Sequence, residues 1–370
     1  MESGPRLSTG SRIDIIAIGR SARGETVSRT RKRRTIVPAF DWFLFRRLRV
    51  RQTASRKGAL MNTLIVSLFL VAAPCAQVKD VPKTQAIPLP HDQVSLQHET
   101  KELARVHFAD NLRRPFVYPL VGPSGISLTR MGHPHDPVSH SHHNSVWISH
   151  HDINGVDFWG DQSKGRVVHQ RVEKLTDADI EASVSTLNHW IDEATKTTLL
   201  VERRRITATP GIQGNWLLTI DSQFEAKLDV VIGKSPFGFV GVRLAKSIGV
   251  RDGGGTILNS EGGINEKGVF WKPAKWVDYS GPIKTGVLEG VALFDHPANP
   301  NYPSIFHVRD DGWMGASFSH AAAFPLTKGK SLRLRYGLYI HETPTRDTIE
   351  ARWQSFAKTE MDDLTPKKMK

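Results

Sequence analysis

Short apolar runs separated by turn residues recur along most of this chain, and they constrain its fold more than any other feature. Such runs, rich in alternating or β-branched residues, are typical of antiparallel strands. Within residues 331–341, every second residue from Leu332 to Ile340 is apolar and falls on one face of a strand. Further strands are predicted within residues 115–130, 145–149, 165–173, 198–208, 215–224, 237–244 and 290–295. The sequence therefore predicts an all-β protein, a large sandwich or barrel.

One short helix is predicted near the C-terminus. Ile349, Trp353 and Phe356 have helical spacing and follow a Thr-Pro start signal at residues 343–344. At the other end of the domain, residues 78–91 are polar and contain several prolines. This composition is typical of a linker or a first edge strand.

The formal net charge of +13 is concentrated in residues 1–60, which alone carry a net charge of +11. The remainder of the chain is nearly neutral, so we expect no nucleic-acid binding by the folded domain. Residues 61–77 contain a short apolar run followed by small residues of the kind found at a signal-peptidase cleavage site, as in secretory signal peptides. The run is about half of the roughly 20 residues that a bilayer span needs, so we expect no membrane span.

These features predict four segments: a basic extension (1–60), a signal peptide (61–77), a β-sandwich domain (78–360) and a polar tail (361–370). We interpret the extension as lying upstream of a start at Met61; a basic arm for nucleic acid or anionic lipid is the alternative. The protein is then exported, to the periplasm or outside the cell. Cys75, the single cysteine, lies in the signal region, and a lipoprotein is the less favoured reading. Cleavage beyond it leaves the domain without thiol, disulfide or cysteine-ligated metal.

A histidine-rich stretch is the strongest candidate for a functional site. Seven of the sixteen histidines lie between residues 133 and 151, namely His133, His135, His140, His142, His143, His150 and His151. Imidazole titrates near neutral pH and binds borderline metals, so the stretch supports either proton transfer or metal binding. A polar loop with surface histidines is the alternative. His142 and His150 would lie about 26 Å apart on an unbroken strand, so they share a site only if the chain bends.

Three further segments offer candidate residues. Asp157 could orient a histidine, and Trp147 or Trp159 could stack on a sugar ring or belong to the core. Trp276 lies in a second aromatic and charged segment, residues 261–281.

The third segment, residues 294–319, begins with prolines at 297, 300 and 303, which predict a fixed loop rather than a strand. It offers Asn299, His307 and Arg309. His307 and Arg309 alternate on one face and could hold an anionic or hydroxyl-rich ligand, with a surface ion pair as the alternative. We predict that residues 133–159, 271–279 and 296–309 converge on one concave face.

Several of these blocks, HSHHNSVWISHHDINGVDFW, KWVDYSG, FDHPANPNYPSIFHVRDDGWMGA and KGKSLRLRYGLYIHE, resemble the signature of the methane oxygenase PmoA-like family, a family of exported proteins of unknown function. The resemblance covers about residues 110–345. It implies a β-supersandwich like that of galactose mutarotases, a fold used by epimerases, lyases and glycoside-processing enzymes. Where the family commonly reads His-Pro-His-His-Arg-Gly, this chain has Asn144 in place of the arginine.

The favoured hypothesis is an exported carbohydrate-processing enzyme of epimerase, lyase or hydrolase type that uses general acid–base chemistry. His142 or His143 would carry one proton, with His307 opposite and Asp157 orienting a histidine. The predicted substrate-binding residues are Trp147, Trp159, Trp276, Asn299 and Arg309. With unperturbed histidines, activity would show one pH limb near 6.5.

Two other classes remain open. The first is a non-catalytic carbohydrate-binding domain with tryptophan platforms. The second is a copper or zinc enzyme in which His140, His142 and His150 bind a divalent metal. Acidic partners beside the histidines would favour the acid–base enzyme, whereas three imidazoles at about 2.0–2.1 Å from one point would favour the metal.

Overall fold

The computed structural model describes residues 80–342 and 345–366. The predicted extension and signal peptide lie outside the described residues. In chain order the strands are β1 (Thr84–Leu89), β2 (Gln93–His98), β3 (Lys101–His107), β4 (Phe116–Leu120), β5 (Val146–His150), β6 (Gly165–Asp177), β7 (Ala182–Asp192), β8 (Thr197–Pro210), β9 (Trp216–Ala226), β10 (Val230–Ile232), β11 (Gly238–Arg243), β12 (Thr256–Asn259), β13 (Lys272–Pro273), β14 (Trp276–Lys284), β15 (Val287–Asp295), β16 (Ile305–Arg309), β17 (Trp313–Ser317), β18 (Phe324–Leu326) and β19 (Ser331–Glu342). The helices are α1 (Val250–Gly253), α2 (Asn265–Val269) and α3 (Arg346–Ala357).

Two large sheets form a sandwich, which confirms the predicted all-β class. The nine-stranded sheet has the order β1-β2-β3-β4-β5-β11-β17-β16-β13, and the eight-stranded sheet has the order β12-β14-β15-β19-β9-β8-β7-β6. Neighbouring strands run antiparallel in both sheets. No helix within residues 80–342 and 345–366 is long and apolar enough to cross a membrane.

The hydrophobic core lies between the two sheets. Successive side chains of a strand point to opposite faces, so an apolar residue at every second position faces the core. In β19 this inward row includes Leu334, Leu338 and Ile340, each at most 1% exposed, as the alternation predicts. Burying one such side chain stabilises the fold by roughly 1.5–3 kcal/mol. The outward rows of both sheets are left free to build sites.

The predicted C-terminal helix is confirmed as α3. Thr345 caps it by accepting a hydrogen bond on its side-chain oxygen from the backbone N–H of Thr348, at 3.2 Å. Ile349 and Phe356 are buried against the outer face of the eight-stranded sheet. The helix therefore covers part of that face, and the outer face of the nine-stranded sheet is not its docking surface.

The prediction of a continuous loop over residues 294–319 is wrong for its second half, which forms β16 and β17. The prolines end at Pro303, and the chain beyond it alternates buried Phe306 and Val308 with less buried neighbours. At the start of the domain, β1 is the edge strand of the nine-stranded sheet, one of the two readings of residues 78–91.

Candidate functional site

The candidate site lies on the outer face of the nine-stranded sheet, where β5, β11 and β17 run side by side. Trp147 on β5 and Trp313 on β17 alternate with core residues and occupy this outer face. Between them β11 contributes Gly241, which is paired with both Trp147 and Gly315. A Cβ atom on Gly241 would come within 2.8 Å of the Trp147 ring and 3.0 Å of the Trp313 ring. The two indoles therefore lie against the sheet only because this position has no side chain.

Gly241→Ala is expected to push both indoles off the sheet and to lower the free energy of unfolding by about 1–3 kcal/mol, the usual cost of overpacking. Thermal unfolding and the near-UV circular dichroism of the tryptophans measure the effect. In a Gly241→Ala, Trp147→Phe double variant, the smaller phenylalanine ring should leave room for the new methyl group and recover part of the lost stability. An unchanged melting temperature in the single variant would contradict this packing.

Phe116, Trp147, Trp159 and Trp313 form a continuous cluster, the aromatic floor, against which Phe237 packs. Ring centroids are 5.2 Å apart for Trp147 and Trp159, and 5.5 Å apart for Trp147 and Trp313. Trp147 and Trp159 are only 1% and 5% exposed, so neither offers a free face to a sugar. The floor therefore supports the groups above it instead of binding a ligand directly.

His143 lies on the aromatic floor. Its ring is stacked on Trp313 at 5.4 Å and 12°, and on Trp147 at 5.6 Å and 26°. Burial, followed by the positive charge of Arg243, holds the pKa of His143 far below its usual value, so the ring is neutral at physiological pH. Its Nδ1 atom is buried without a hydrogen-bond partner among the described residues. Buried polar atoms are rarely left in that state, which marks this nitrogen for a functional role or an ordered water.

Five histidine rings meet above the floor and form the histidine cluster, which consists of His133, His135, His140, His142 and His143. Their ring contacts range from 4.6 Å, between His142 and His143, to 6.1 Å, between His133 and His135. The segment between Met131 and Asn144 closes on itself through an isolated β-bridge, and this closure brings the rings together.

Three carboxylates border the histidine cluster, and each contacts a different ring. The nitrogen–oxygen distances are 2.8 Å for His133–Asp311, 2.8 Å for His135–Asp252 and 3.0 Å for His140–Asp136. A carboxylate on one ring nitrogen fixes the tautomer and orientation of the imidazole. Acidic partners are therefore present for His133, His135 and His140, whereas among the described residues no carboxylate pairs with the predicted proton carriers His142, His143 and His307.

The His133 contact continues into a buried ion pair. Asp311 also accepts a hydrogen bond from Nη1 of Arg243 at 2.7 Å, and Arg243 is fully buried on β11. Burial is the largest single influence on Asp311 and by itself would raise the pKa of its carboxyl. The hydrogen bond and charge of Arg243, followed by the charge of His133, together outweigh burial, so the pKa of Asp311 is lowered. Arg243 thus fixes Asp311, and Asp311 fixes His133 at the edge of the cluster.

His142 and His307 are half-buried, and each is in a position to carry a proton. Burial lowers the pKa of His142 to about 4, and burial together with Arg309 lowers that of His307 to about 4. His142 contacts the His143 ring, whereas His307 contacts the Trp313 ring at 5.9 Å. Both rings are therefore neutral at pH 7, with a free lone pair, and each is a weaker base than a histidine with the ordinary pKa.

A buried arginine on the chain before β4 holds the histidine-bearing segment in place. Arg114 donates hydrogen bonds to Asn144 Oδ1 at 2.6 Å, to the carbonyl of Trp159 at 2.6 Å and to that of Phe158 at 3.1 Å. It also pairs with Asp161 at 3.2 Å. Asn144 stands where the resembling family commonly has arginine, and here its amide oxygen accepts from a guanidinium supplied by another part of the chain.

Other predicted residues lie away from the histidine cluster. Trp276 is fully buried, and its Nε1 donates to Glu350 of α3 at 2.8 Å, so it cannot act as a platform. Asn299 is buried and hydrogen bonds Asp295 at 2.7 Å, on a loop beside β19. The predicted convergence is therefore met only in part: the histidine cluster, Trp147, Trp159 and His307 lie on one face of the nine-stranded sheet, and Trp276 and Asn299 lie elsewhere.

Asp157 and Arg309 have other partners. The Asp157 carboxylate accepts the backbone N–H of Trp159 at 2.6 Å, so it shapes a turn and orients no imidazole. Arg309 is exposed and pairs with Glu266 at 3.2 Å, as its surface ion-pair reading proposed. It nevertheless lies on the same strand as His307.

The predicted ligand set of His140, His142 and His150 is not formed. His150 points into the core from β5, and its Nε2 lies 2.8 Å from the hydroxyl of the buried Ser319. Alternation explains the error: His150 shares a face with Ile148 and lies on the opposite side of the sheet from Trp147. Within residues 80–342 and 345–366, no group of three or more His, Cys, Asp or Glu is arranged to hold a metal ion.

A groove with a volume of about 610 Å³ lies on the outer face of the eight-stranded sheet, bordered by α3. Hydroxyls and ion-paired side chains line it, including Thr207, Thr219 and Arg205, and none of its lining residues is a histidine. We place the reactive site on the other sheet because proton-transfer groups gather there.

Sequence reasoning missed Trp313, Arg243, Asp311 and Arg114. His133 and Asp311 are 178 positions apart in sequence, so only sheet pairing brings them together. Trp313 and Asp311 lie within a block that carries the family resemblance, and that block was the available signal. Arg114 and Arg243 had no signal beyond being arginines beside predicted strands.

A family profile matches residues 93–354, and it describes a family of unknown function, DUF6807. Its description carries no methane oxygenase label, so the resemblance is confirmed only as far as a family of unknown function. No curated protein matches the chain.

Solved structures with distant similarity include a galactose mutarotase related enzyme from Lactobacillus acidophilus, at 10% identity and a TM-score of 0.30, covering 65% of this chain and 95% of that one. A galactose 1-epimerase from Lactobacillus acidophilus NCFM has 7% identity and a TM-score of 0.34, with 68% and 94% covered. A GalM/aldose epimerase homologue from C. elegans has 8% identity and a TM-score of 0.29, with 70% and 99% covered. At such scores we infer function from the site itself.

Proposed function

The chain belongs to the DUF6807 family of unknown function, and we propose that this member is a carbohydrate-processing enzyme that begins its reaction by removing a proton from a sugar. The histidine cluster carries the proposal. The cluster places His142 and His143, whose pKa burial lowers, beside three histidines that pair with carboxylates, all over an aromatic floor that gives a rigid support.

In the proposed reaction the neutral ring of His142 takes a proton from a substrate O–H or C–H bond, and the electron pair stays on the substrate. His307, whose ring contacts Trp313, hydrogen bonds the substrate on the side opposite His142. His143, stacked on the aromatic floor, keeps His142 in place through their 4.6 Å ring contact. The stacking fixes the reacting groups before substrate arrives, which reduces the cost of orientation.

Isomerase and lyase chemistry fit the site better than hydrolysis. Glycoside hydrolysis usually needs a carboxylic acid whose pKa is raised, so that it can protonate the leaving oxygen. Here hydrogen bonds from Ser139 lower the pKa of Asp136 to about 2, and Arg243 lowers that of Asp311. Burial raises the pKa of Asp295 to about 6, but that residue hydrogen bonds Asn299 away from the cluster.

Deuterium incorporation tests the proposal directly. The purified domain is incubated in D₂O with panels of free sugars, glycosides and uronate-containing oligosaccharides, and proton NMR follows C–H exchange, anomer interconversion and new alkene signals. We expect at least one of these changes, and we expect it to be lost in a His142→Gln, His307→Gln double variant. If the wild-type protein and the double variant behave alike on every panel, the proposal is wrong.

Activity is expected to rise with pH around a midpoint near 4 and to stay level through neutrality. The working base is a neutral histidine, and burial has moved the pKa of both His142 and His307 to about 4 from the 6.5 expected for an unperturbed ring. The pH dependence of kcat/KM measures this. If His142 is the base, His142→Gln removes the acidic limb and His307→Gln retains it. A limb near 6.5 in the wild type would contradict the assignment.

We also propose export to the periplasm or the medium, on the strength of the apolar run in residues 61–77. Fractionation of cells expressing the full sequence, with and without residues 61–77, tests this; wild-type protein confined to the cytoplasm would overturn it.

A further inference from the structure

Trp271 is a large apolar side chain that the fold leaves in solvent. Its indole is 51% exposed, whereas Trp147, Trp159, Trp276 and Trp313 are all at least 95% buried. It follows α2 and immediately precedes β13, where its backbone N–H donates to the carbonyl of Phe306 at 2.8 Å. Trp271 is thus at the edge of the nine-stranded sheet, beside β16.

The backbone of Trp271 is held in an unfavourable conformation. Its φ of 55° lies in the left-handed region, which costs a bulky L-residue about 1–2 kcal/mol. Glycine or asparagine would relieve that cost, and either would remove an exposed apolar ring. Strain kept in a surface residue is common where a side chain must be presented to a ligand.

Trp271 is joined to the candidate site by ring contacts. Because β13 pairs with β16, Trp271 lies beside His307, with ring centroids 6.5 Å apart. His307 in turn contacts Trp313, and His143 stacks on Trp313. Trp271 itself makes no ring contact with the described histidine cluster. Its exposed face is therefore separated from His142 and His143 by intervening rings, at a distance from the proposed reaction centre.

A second histidine completes the surroundings of Trp271. His320 contacts the indole edge-on at 5.4 Å, and its Nε2 atom is buried with no hydrogen-bond partner among the described residues. Phe270 stacks on one face of the Trp271 indole, with the ring centroids 4.6 Å apart and the planes 20° from parallel. An exposed aromatic face beside an imidazole matches the two needs of a sugar ring, an apolar surface for its C–H face and a polar group for its hydroxyls.

We infer that Trp271 and His320 form a second sugar-binding subsite, and that the substrate is an oligosaccharide or glycoside whose chain runs from the histidine cluster past His307 to Trp271. The inference rests on the proposed function and adds the substrate class to it: a chain rather than a free monosaccharide. The aromatic floor is covered by His143, so Trp271 is the exposed indole on this path that a sugar ring can reach.

The test compares mono-, di- and tetrasaccharides from the β-1,4-glucan, α-1,4-glucan, xylan and polygalacturonate series. Isothermal titration calorimetry is performed on the His142→Gln variant, in which slow turnover is expected to leave the sugar largely intact, with and without Trp271→Ala. We expect tetrasaccharide binding to weaken about tenfold on loss of the indole, and Trp271→Phe to recover part of the affinity. Ile180→Ala, a change at a residue 74% exposed on a distant turn, serves as the matched control with no effect.

Turnover separates the two hypotheses. If wild-type protein processes a chain and Trp271→Ala lowers the ratio of kcat/KM for tetrasaccharide to that for monosaccharide, the subsite is supported. If turnover is observed and this ratio and the tetrasaccharide affinity are unchanged by Trp271→Ala, the subsite is wrong while the proposed function stands. If no saccharide is bound or converted by the wild type, the proposed function fails and the subsite fails with it.

Discussion

Replacing His142 with glutamine is expected to lower turnover by about 10²–10⁴-fold while leaving thermal unfolding nearly unchanged. Glutamine keeps a polar side chain of similar length but cannot accept a proton near neutral pH. The His142 ring is half-buried and makes no hydrogen bond to another described residue through its nitrogens, so the substitution leaves no buried group without a partner. Steady-state kinetics and a melting curve on the same sample check both halves of the prediction.

His189→Gln is the matched control for this experiment. His189 is also half-buried, and burial also lowers its pKa, but it lies on β7 in the other sheet. Its substitution should leave turnover within about twofold, because the residue is far from the histidine cluster in sheet order. Equal losses in the two variants would show that a general effect on folding, not proton transfer, explains the result.

A metal role for the same residue predicts a different pattern. Metal-binding energy is coupled to folding, so His142→Gln would then lower the melting temperature and a chelator would reproduce that loss in the wild type. We expect neither, because no group of three or more His, Cys, Asp or Glu within residues 80–342 and 345–366 is arranged to hold a metal ion.

The alternation of apolar and polar residues made part of this fold predictable from sequence. In β19 the inward row from Leu332 to Ile340 could be identified because every second residue is apolar and the strand is long. β16 could not be predicted from its sequence, because prolines precede it and its outward positions are polar, as in a loop. Its strand character depends on pairing with the buried strand β17. Local pattern predicts strands well and their partners poorly.

The candidate site was only partly predictable for the same reason. The sequence places His140, His142 and His143 together because they are adjacent in the chain, and the structure keeps them together. His150 is only seven residues further along the chain, but it belongs to a strand whose alternation turns it into the core. Asp311, the partner of His133, lies 178 positions further along the chain, just before β17, and strand pairing cannot be deduced from one sequence.

Arg114→Met is expected to lower the free energy of unfolding by about 3–5 kcal/mol and to abolish activity. The guanidinium is 1% exposed and satisfies the carbonyls of Phe158 and Trp159 together with the side chains of Asn144 and Asp161. Methionine fills a similar volume but donates nothing, so these buried acceptors lose their partner.

The loss is expected to be local before it is global, because Arg114 joins the end of the histidine segment, at Asn144, to the turn at Trp159. Hydrogen exchange should therefore accelerate first in residues 132–144, and denaturant unfolding gives the size of the destabilisation. Arg171→Met is the control: that arginine is 57% exposed and pairs with Glu173, and exposed pairs contribute about 0–1 kcal/mol. Comparable losses in the two variants would contradict a structural role for Arg114 specific to this site, whereas a loss confined to Arg114→Met would show that the histidine cluster depends on a residue outside its own segment.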